Sequence, residues 1–331
     1  MSKLFDSLNG GSVAQQKKKK AAVRAICVTV ILVAVALSVL IISLIVSAVK
    51  KNNIPEDTGD NDSSGKTTTT TVSMEATDVH KGSLILVNKE HIYDFNVNPE
   101  SELVKMEDYV AKDSSGNAVY NLRNSSLLAD KTAVDALNSM LKAYMSAPAD
   151  SGSSSGSDRI VTVTTAYRSK DTQDAIGSST KGGYSDFHTG MLFELKNSGG
   201  TTSINETTHK WIYENAHKYG FIVRYPSDRS VETGVSDFTY AFRYVGVAHA
   251  TYIYENGLCL EEYINLLHSK TSDAPLSVKG ADGVSYEIYY VAASSDGKTD
   301  VTVPTRYNYT VSGDNLSGFI VTVNKSKSSA S

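Results

Sequence analysis

The sequence predicts an α+β fold: a mixed core domain preceded by one transmembrane helix and followed by a small C-terminal β appendage. Three observations predict it. Helical periodicity and strand-like runs are interspersed, without the strict alternation that a doubly wound sheet would demand. One run of 25 residues near the N-terminus carries no charge. Beyond residue 275, short β-branched and aromatic runs succeed one another with only turn residues between them.

The uncharged run is residues 25–49, AICVTVILVAVALSVLIISLIVSAV. As a helix it spans roughly 37 Å, enough for a hydrocarbon core of about 30 Å with some tilt. A secretory signal has an apolar stretch of only about 7–15 residues, so the segment reads as an uncleaved anchor. Lys17, Lys18, Lys19, Lys20 and Arg24 crowd one flank, whereas Lys50 and Lys51 are followed by Glu56, Asp57, Asp60 and Asp62. The positive-inside bias therefore places residues 1–24 in the cytoplasm as a basic tail. Everything after residue 50 falls outside a cell membrane crossed once. Residues 50–79, rich in Thr, Ser, Asp and Asn, read as a flexible stalk.

Charge separates the two ends of the chain. The overall −4 combines a net +7 over residues 1–51 with about −11 over the remainder, which excludes a nucleic-acid partner for the bulk of the protein. Two cysteines, Cys27 and Cys259, exclude a disulfide framework and a cysteine-rich zinc module.

Within the core, residues 80–270, SLILVN (83–88) has the character of a short buried strand. Residues 130–146 place Val134, Leu137, Met140, Leu141, Tyr144 and Met145 at helical spacing behind Asp130 as N-cap, with Pro148 closing the segment. IVTVTTAYRS (160–169) reads as a strand ending at Arg168, and 206–218 as a helix stopping before Gly220. FIVRYP (221–226) and FTYAFRYVG (238–246) read as strands, and LEEYINLLH (260–268) as a helix. The appendage, residues 271–331, holds four strand-like runs: YEIYYVA, DVTVP, YNYTVSG and GFIVTV.

Three core segments carry a family resemblance. TAYRSKDTQ (165–173), YSDFHTGMLFEL (184–195) and the stretch from WIYENAHKYGFIVRYP through FRYVG to LCLEEYI (211–264) resemble the D-alanyl-D-alanine carboxypeptidases of the VanY type. These are zinc peptidases that trim the peptidoglycan stem peptide. The motifs occur in the family's order and spacing over residues 80–268. The resemblance implies a catalytic zinc on three protein ligands plus a water, with a carboxylate taking the water's proton. It also implies an arginine that binds substrate.

Position by position, the resemblance maps onto an incomplete site. Arg168 stands at the substrate arginine, with Gln173 and Ser185 at the spacing of substrate-binding positions. The position of the first zinc-binding histidine, two residues after Ser185, holds Phe187. The aspartate ligand four after Gly190 is Glu194. Eight and five residues before Gly246, the general base and the third ligand are replaced by Phe238 and Ala241. A displaced site could draw on His188, Glu194 and His249, but on a strand-like segment a shift of one residue turns His188 to the opposite face. His80, His91, His209, His217 and His268 are scattered and read as surface or capping residues.

Three functional readings follow. In the first, the protein is a catalytically inactive, membrane-anchored relative outside a Gram-positive cell that binds a peptidoglycan stem peptide or an envelope protein, with no cofactor. In the second, it is an active zinc D-Ala-D-Ala carboxypeptidase with the displaced site. In the third, it is an envelope adaptor whose fold serves as a platform. Loss of both imidazoles and the base favours the first, because fold can outlast the chemistry of a site.

Overall fold

The computed structural model describes residues 68–148 and 159–326. The expected basic tail, membrane helix and first part of the stalk lie outside the described residues. Among the described residues no helix is long and apolar enough to cross a membrane.

In chain order the strands are β1 (Thr69–Glu75), β2 (Val104–Lys105), β3 (Asn121–Leu122), β4 (Leu128–Ala129), β5 (Thr162–Thr165), β6 (Leu192–Lys196), β7 (Phe221–Val223) and β8 (Ala241–Tyr244). The C-terminal strands are β9 (Leu276–Lys279), β10 (Ser285–Ala292), β11 (Lys298–Pro304), β12 (Asn308–Gly313) and β13 (Gly318–Asn324). The α-helices are α1 (Lys131–Ser146), α2 (Lys170–Ala175), α3 (Lys210–Asn215), α4 (Ser230–Thr233), α5 (Val247–Asn256) and α6 (Leu260–Leu267).

The core is a five-stranded mixed sheet in the order β3-β5-β6-β8-β7, with β3 and β5 parallel and the other pairs antiparallel. Helix α1 forms where its periodicity predicts. The Asp130 side chain accepts a hydrogen bond from the Ala133 N–H at 2.9 Å, a cap of a kind worth about 1 kcal/mol. Its stripe of Val134, Leu137, Met140, Leu141 and Tyr144 is buried against Val163, Phe193, Leu195, Phe221 and Phe242 of the sheet. Register then sets the site: Glu194 on the middle strand β6 stands opposite Thr165 on one side and Ala241 on the other.

The helix expected over 206–218 begins only at Lys210 and tightens into a 3₁₀ turn over Ala216–Tyr219. Gly220 ends it at φ 84°, where an added Cβ would lie 2.7 Å from Tyr244 Cε2. The positive φ and this close approach both call for glycine.

Residues 84–87 are buried as expected, but the 83–88 run does not form a strand. Their backbone groups bond mostly to side chains elsewhere in the chain and not to a neighbouring strand. The Leu84 N–H donates to Ser312 Oγ (3.0 Å) and the Leu86 N–H to the Asp314 carbonyl (3.0 Å). The Leu86 carbonyl accepts from Asn315 Nδ2 at 2.8 Å, and those of Ile85 and Val87 accept from Arg243 and Arg224. Polar backbone is thus satisfied without a ladder.

The same two arginines form a buried ionic cluster. Asp186, fully buried, accepts from Arg224 Nε (2.5 Å) and Arg243 Nε (3.0 Å). Glu261 accepts from both terminal nitrogens of Arg224 at 3.0 and 2.8 Å. Burial raises the pKa of Glu261, but the Arg224 guanidinium outweighs it and holds the carboxyl below its usual value. This cluster ties the 83–88 segment, the turn bearing Asp186, the sheet and α6 into one piece.

The C-terminal part contains five strands, one more than expected. Four form the sheet β12-β13-β10-β9, and the fifth, β11, pairs antiparallel with β1. The expected stalk is corrected accordingly. Residues 69–75 are a strand, held by a seven-residue register from Thr69 opposite Pro304 to Glu75 opposite Lys298. Their β-branched threonines suit a strand that lacks an apolar alternation. The appendage is fused to the core, with Val278, Ile288 and Ile320 sharing one apolar cluster with Ile253, Leu260, Ile264 and Leu267 of α5 and α6.

Candidate functional site

A 3₁₀ turn, Asp186–Thr189, follows Ser185 and is closed by Gly190 in the left-handed region at φ 67°. It delivers Phe187 toward the sheet, where Phe187 joins Leu192, Tyr225 and Ala241 in an apolar cluster flanked by Val235 and Phe238. The Phe187 and Phe238 ring centroids are 6.0 Å apart, and Tyr225 stacks on Phe238 at 5.5 Å with an 8° interplanar angle. The fold therefore brings Phe187, Phe238 and Ala241 together, with Glu194 directly across the strand pair from Ala241.

Their chemistry does not fit a zinc ion. Phe187, Phe238 and Ala241 offer no lone pair. The Glu194 carboxylate is already spent, accepting from Thr165 Oγ1 at 2.6 Å and pairing with Lys196 at 3.3 Å. Among the described residues no group of three or more His, Cys, Asp or Glu side chains could hold a metal ion.

The displaced set is not brought together either. His188 lies on the 3₁₀ turn, not on a strand, so helical geometry and not strand parity aims its ring. Its Nδ1–H donates to the Arg168 carbonyl (2.5 Å), and its Nε2 accepts from the Gly183 N–H (2.9 Å). Burial lowers its pKa, which keeps this neutral tautomer. His249, in the first turn of α5, is buried, and its two ring nitrogens meet Tyr263 Oη (2.7 Å) and Thr322 Oγ1 (2.9 Å). Both imidazoles hold the scaffold together. His209 and His217, read as surface or capping residues, are buried as well, with His209 at the N-cap position of α3.

Arg168 is the polar group that remains at the site. Its guanidinium lies 4.5 Å from the Phe187 ring centroid, a cation–π contact, and its Nη1 donates to Gln173 Oε1 at 2.7 Å. Its backbone is clamped to the 3₁₀ turn, with its N–H donating to the Phe187 carbonyl (3.2 Å). Burial lowers its pKa, opposed by the charge of Glu194, but an arginine starting at 12.5 stays protonated in neutral solution. Gln173, read from the sequence as substrate-binding, is 2% exposed. Its amide nitrogen donates to Ser178 Oγ (2.9 Å) and the Thr180 carbonyl (2.8 Å), so its contribution is to fix Arg168 and the loop beside it. Ser185 is buried at the groove wall.

Arg168, Gln173, Ser185, Phe187, Tyr225 and Phe238 all line one groove of about 540 Å³. Sequence reasoning missed Tyr225, Lys89 and Lys181 on its walls and the Asp186–Arg224–Arg243 cluster beneath it. Arginines set inside the otherwise apolar runs FIVRYP and FRYVG were the available signal for the cluster, since such charges are buried only when paired. With an arginine at one end and aromatic rings in place of metal and base, the groove is equipped to hold an anionic group beside an apolar one. It has nothing at these positions with which to activate a water.

A family model for VanY, D-alanyl-D-alanine carboxypeptidase, matches residues 127–247. A D-alanyl-D-alanine carboxypeptidase from Enterococcus faecium is 29% identical over 252 residues, covering 74% of this chain and 76% of the relative. A second, from Enterococcus faecalis strain ATCC 700802 / V583, is 43% identical over 83 residues, 25% of this chain and 31% of the relative. Among solved structures, the vancomycin-resistance D,D-dipeptidase VanXYg in complex with a D-Ala-D-Ala phosphinate analogue is similar at a TM-score of 0.64 and 25% identity. That similarity covers 78% of this chain and all of the other.

Proposed function

The chain belongs to the VanY family of D-alanyl-D-alanine carboxypeptidases, and from that premise we propose that it is a catalytically silent member that binds peptidoglycan stem peptides. The observation that carries this reading is the replacement of both histidine ligands and the base by Phe187, Ala241 and Phe238, packed with Tyr225 beside an intact Arg168. A binding function needs the arginine and the groove, whereas hydrolysis also needs the metal-bound water. VanXYg, the structural relative, binds a D-Ala-D-Ala phosphinate analogue, which supports a D-Ala-D-Ala terminus as the ligand. The terminal carboxylate would pair with Arg168, and the alanine methyls would rest on the aromatic floor. The uncharged 25–49 segment behind a basic tail supports display of this groove on the outer face of a cell membrane.

The test is isothermal titration of the full-length chain with acetyl-Lys(acetyl)-D-Ala-D-Ala, alongside an assay for released D-alanine in the presence of zinc. Binding that is lost in Arg168→Ala, with no D-alanine released, is the expected result. Absence of heat from this peptide and its shorter analogues would remove the binding role, and zinc-dependent release of D-alanine would remove the inactive one.

A further inference from the structure

The charge of the groove runs against the charge of the chain. Beyond residue 51 acidic residues outnumber basic ones, yet the described residues lining the groove include three cations, Arg168, Lys89 and Lys181, and no aspartate or glutamate. Two carboxylates on neighbouring elements have other partners. Glu194 faces Thr165 and Lys196, and Asp186 lies buried between Arg224 and Arg243.

The cations themselves are largely unspent. Among the described residues Arg168 makes no ion pair, and its guanidinium donates to neutral Gln173. Lys89 reaches only Glu90, at 3.9 Å with both side chains largely in solvent, and its stem lies along the φ 69° glycine Gly234 at the groove wall. Lys181 has no ion pair among the described residues and sits on the loop that Gln173 straps through Thr180. Between these cations the floor is aromatic and uncharged.

One terminal carboxylate satisfies Arg168 and leaves the two lysines on the rim without a partner. We propose that the groove selects a peptide bearing a second carboxylate besides its C-terminal one. The terminal carboxylate meets Arg168, an apolar residue covers Phe187 and Phe238, and the second carboxylate is held by Lys89 and Lys181. This assignment rests on the reading of the groove as a peptide-binding site and goes beyond it in naming the charge class of the ligand. Because the lysines are exposed, their contribution is a modest, salt-sensitive gain in selectivity.

The experiment compares two isosteric probes on the full-length chain by isothermal titration: acetyl-Glu-Lys(acetyl)-D-Ala-D-Ala and acetyl-Gln-Lys(acetyl)-D-Ala-D-Ala. The glutamate probe is expected to bind about fivefold more tightly, the size of two exposed charge contacts. That preference is expected to vanish in the Lys89→Gln/Lys181→Gln variant and to shrink in 0.5 M salt. A preference below about twofold, or one that survives the double substitution, overturns the inference and leaves the proposed binding function standing. Binding of neither probe overturns both.

Discussion

The guanidinium of Arg168 rests over the ring of Phe187, 4.5 Å from its centroid, so the position that the family's spacing assigns to a zinc ligand here supports an organic cation. Phe187 is almost fully buried and also packs on Phe238. Phe187→Ala is expected to cost about 3 kcal/mol of stability, at the low end for a buried phenylalanine because the groove lets the site relax. Peptide affinity should fall as well, since Arg168 loses the surface beneath it. Chemical denaturation and titration of the same variant check the two effects separately.

Restoring the donors should restore the metal. The chain as it stands is expected to hold zinc well below one ion per molecule after dialysis, measured by atomic emission. Phe187→His, Glu194→Asp, Phe238→Glu and Ala241→His together are expected to bring it toward one per molecule, because the backbone positions already converge across β6 and β8. Phe187→His alone should not, since it leaves only one imidazole at the site.

Asp186 neutralises two fully buried arginines at once. Asp186→Asn keeps the shape but leaves Arg243 without its carboxylate and Arg224 with only Glu261. The expected loss is about 3–5 kcal/mol, read from the midpoint of urea unfolding. Part of that loss should be recovered by Asp186→Asn/Arg243→Met, which removes the stranded charge.

The helix expected over 130–146 was legible because its apolar stripe and its Asp130 cap are both local signals. The four degenerate positions came from counting from Ser185, Gly190 and Gly246, and the fold packs three of them, Phe187, Phe238 and Ala241, in one cluster. What the sequence hid was long-range. The 83–88 run looks like a strand because it is apolar, but its partners Ser312, Asp314 and Asn315 lie more than 220 residues away and bond it irregularly. The threonine-rich run before Glu75 looks like linker because it lacks an apolar face, and only β11, again more than 220 residues distant, makes it a strand. His188 was judged by strand parity, although Gly190 in the left-handed region marks the tight turn that carries it.

Stability should decline on the acid side from two causes. Complete burial lowers the pKa of His249 to about 3 from its ordinary 6.5. The unfolded chain therefore takes up a proton that the folded one refuses, and stability is fully present above pH 6.5 and drains as pH falls toward 3. The slope from this group is at most roughly 1.4 kcal/mol per pH unit. His188 and His217, also lowered by burial, act in the same direction. Glu261, held below its usual 4.5 chiefly by Arg224 despite burial, adds a loss that begins only below that value. Urea midpoints between pH 7 and 5 should therefore fall in the parent, and less steeply in His249→Gln.

The seven-residue ladder between β1 and β11 also has a mechanical consequence. A tether pulling on the domain through Thr69 loads that ladder lengthwise, so its bonds resist together in shear instead of opening one by one. Arg168 and the aromatic floor lie on other elements. Tension arriving along the leading strand is taken up at this clasp, and the groove around Arg168 can keep its shape under load.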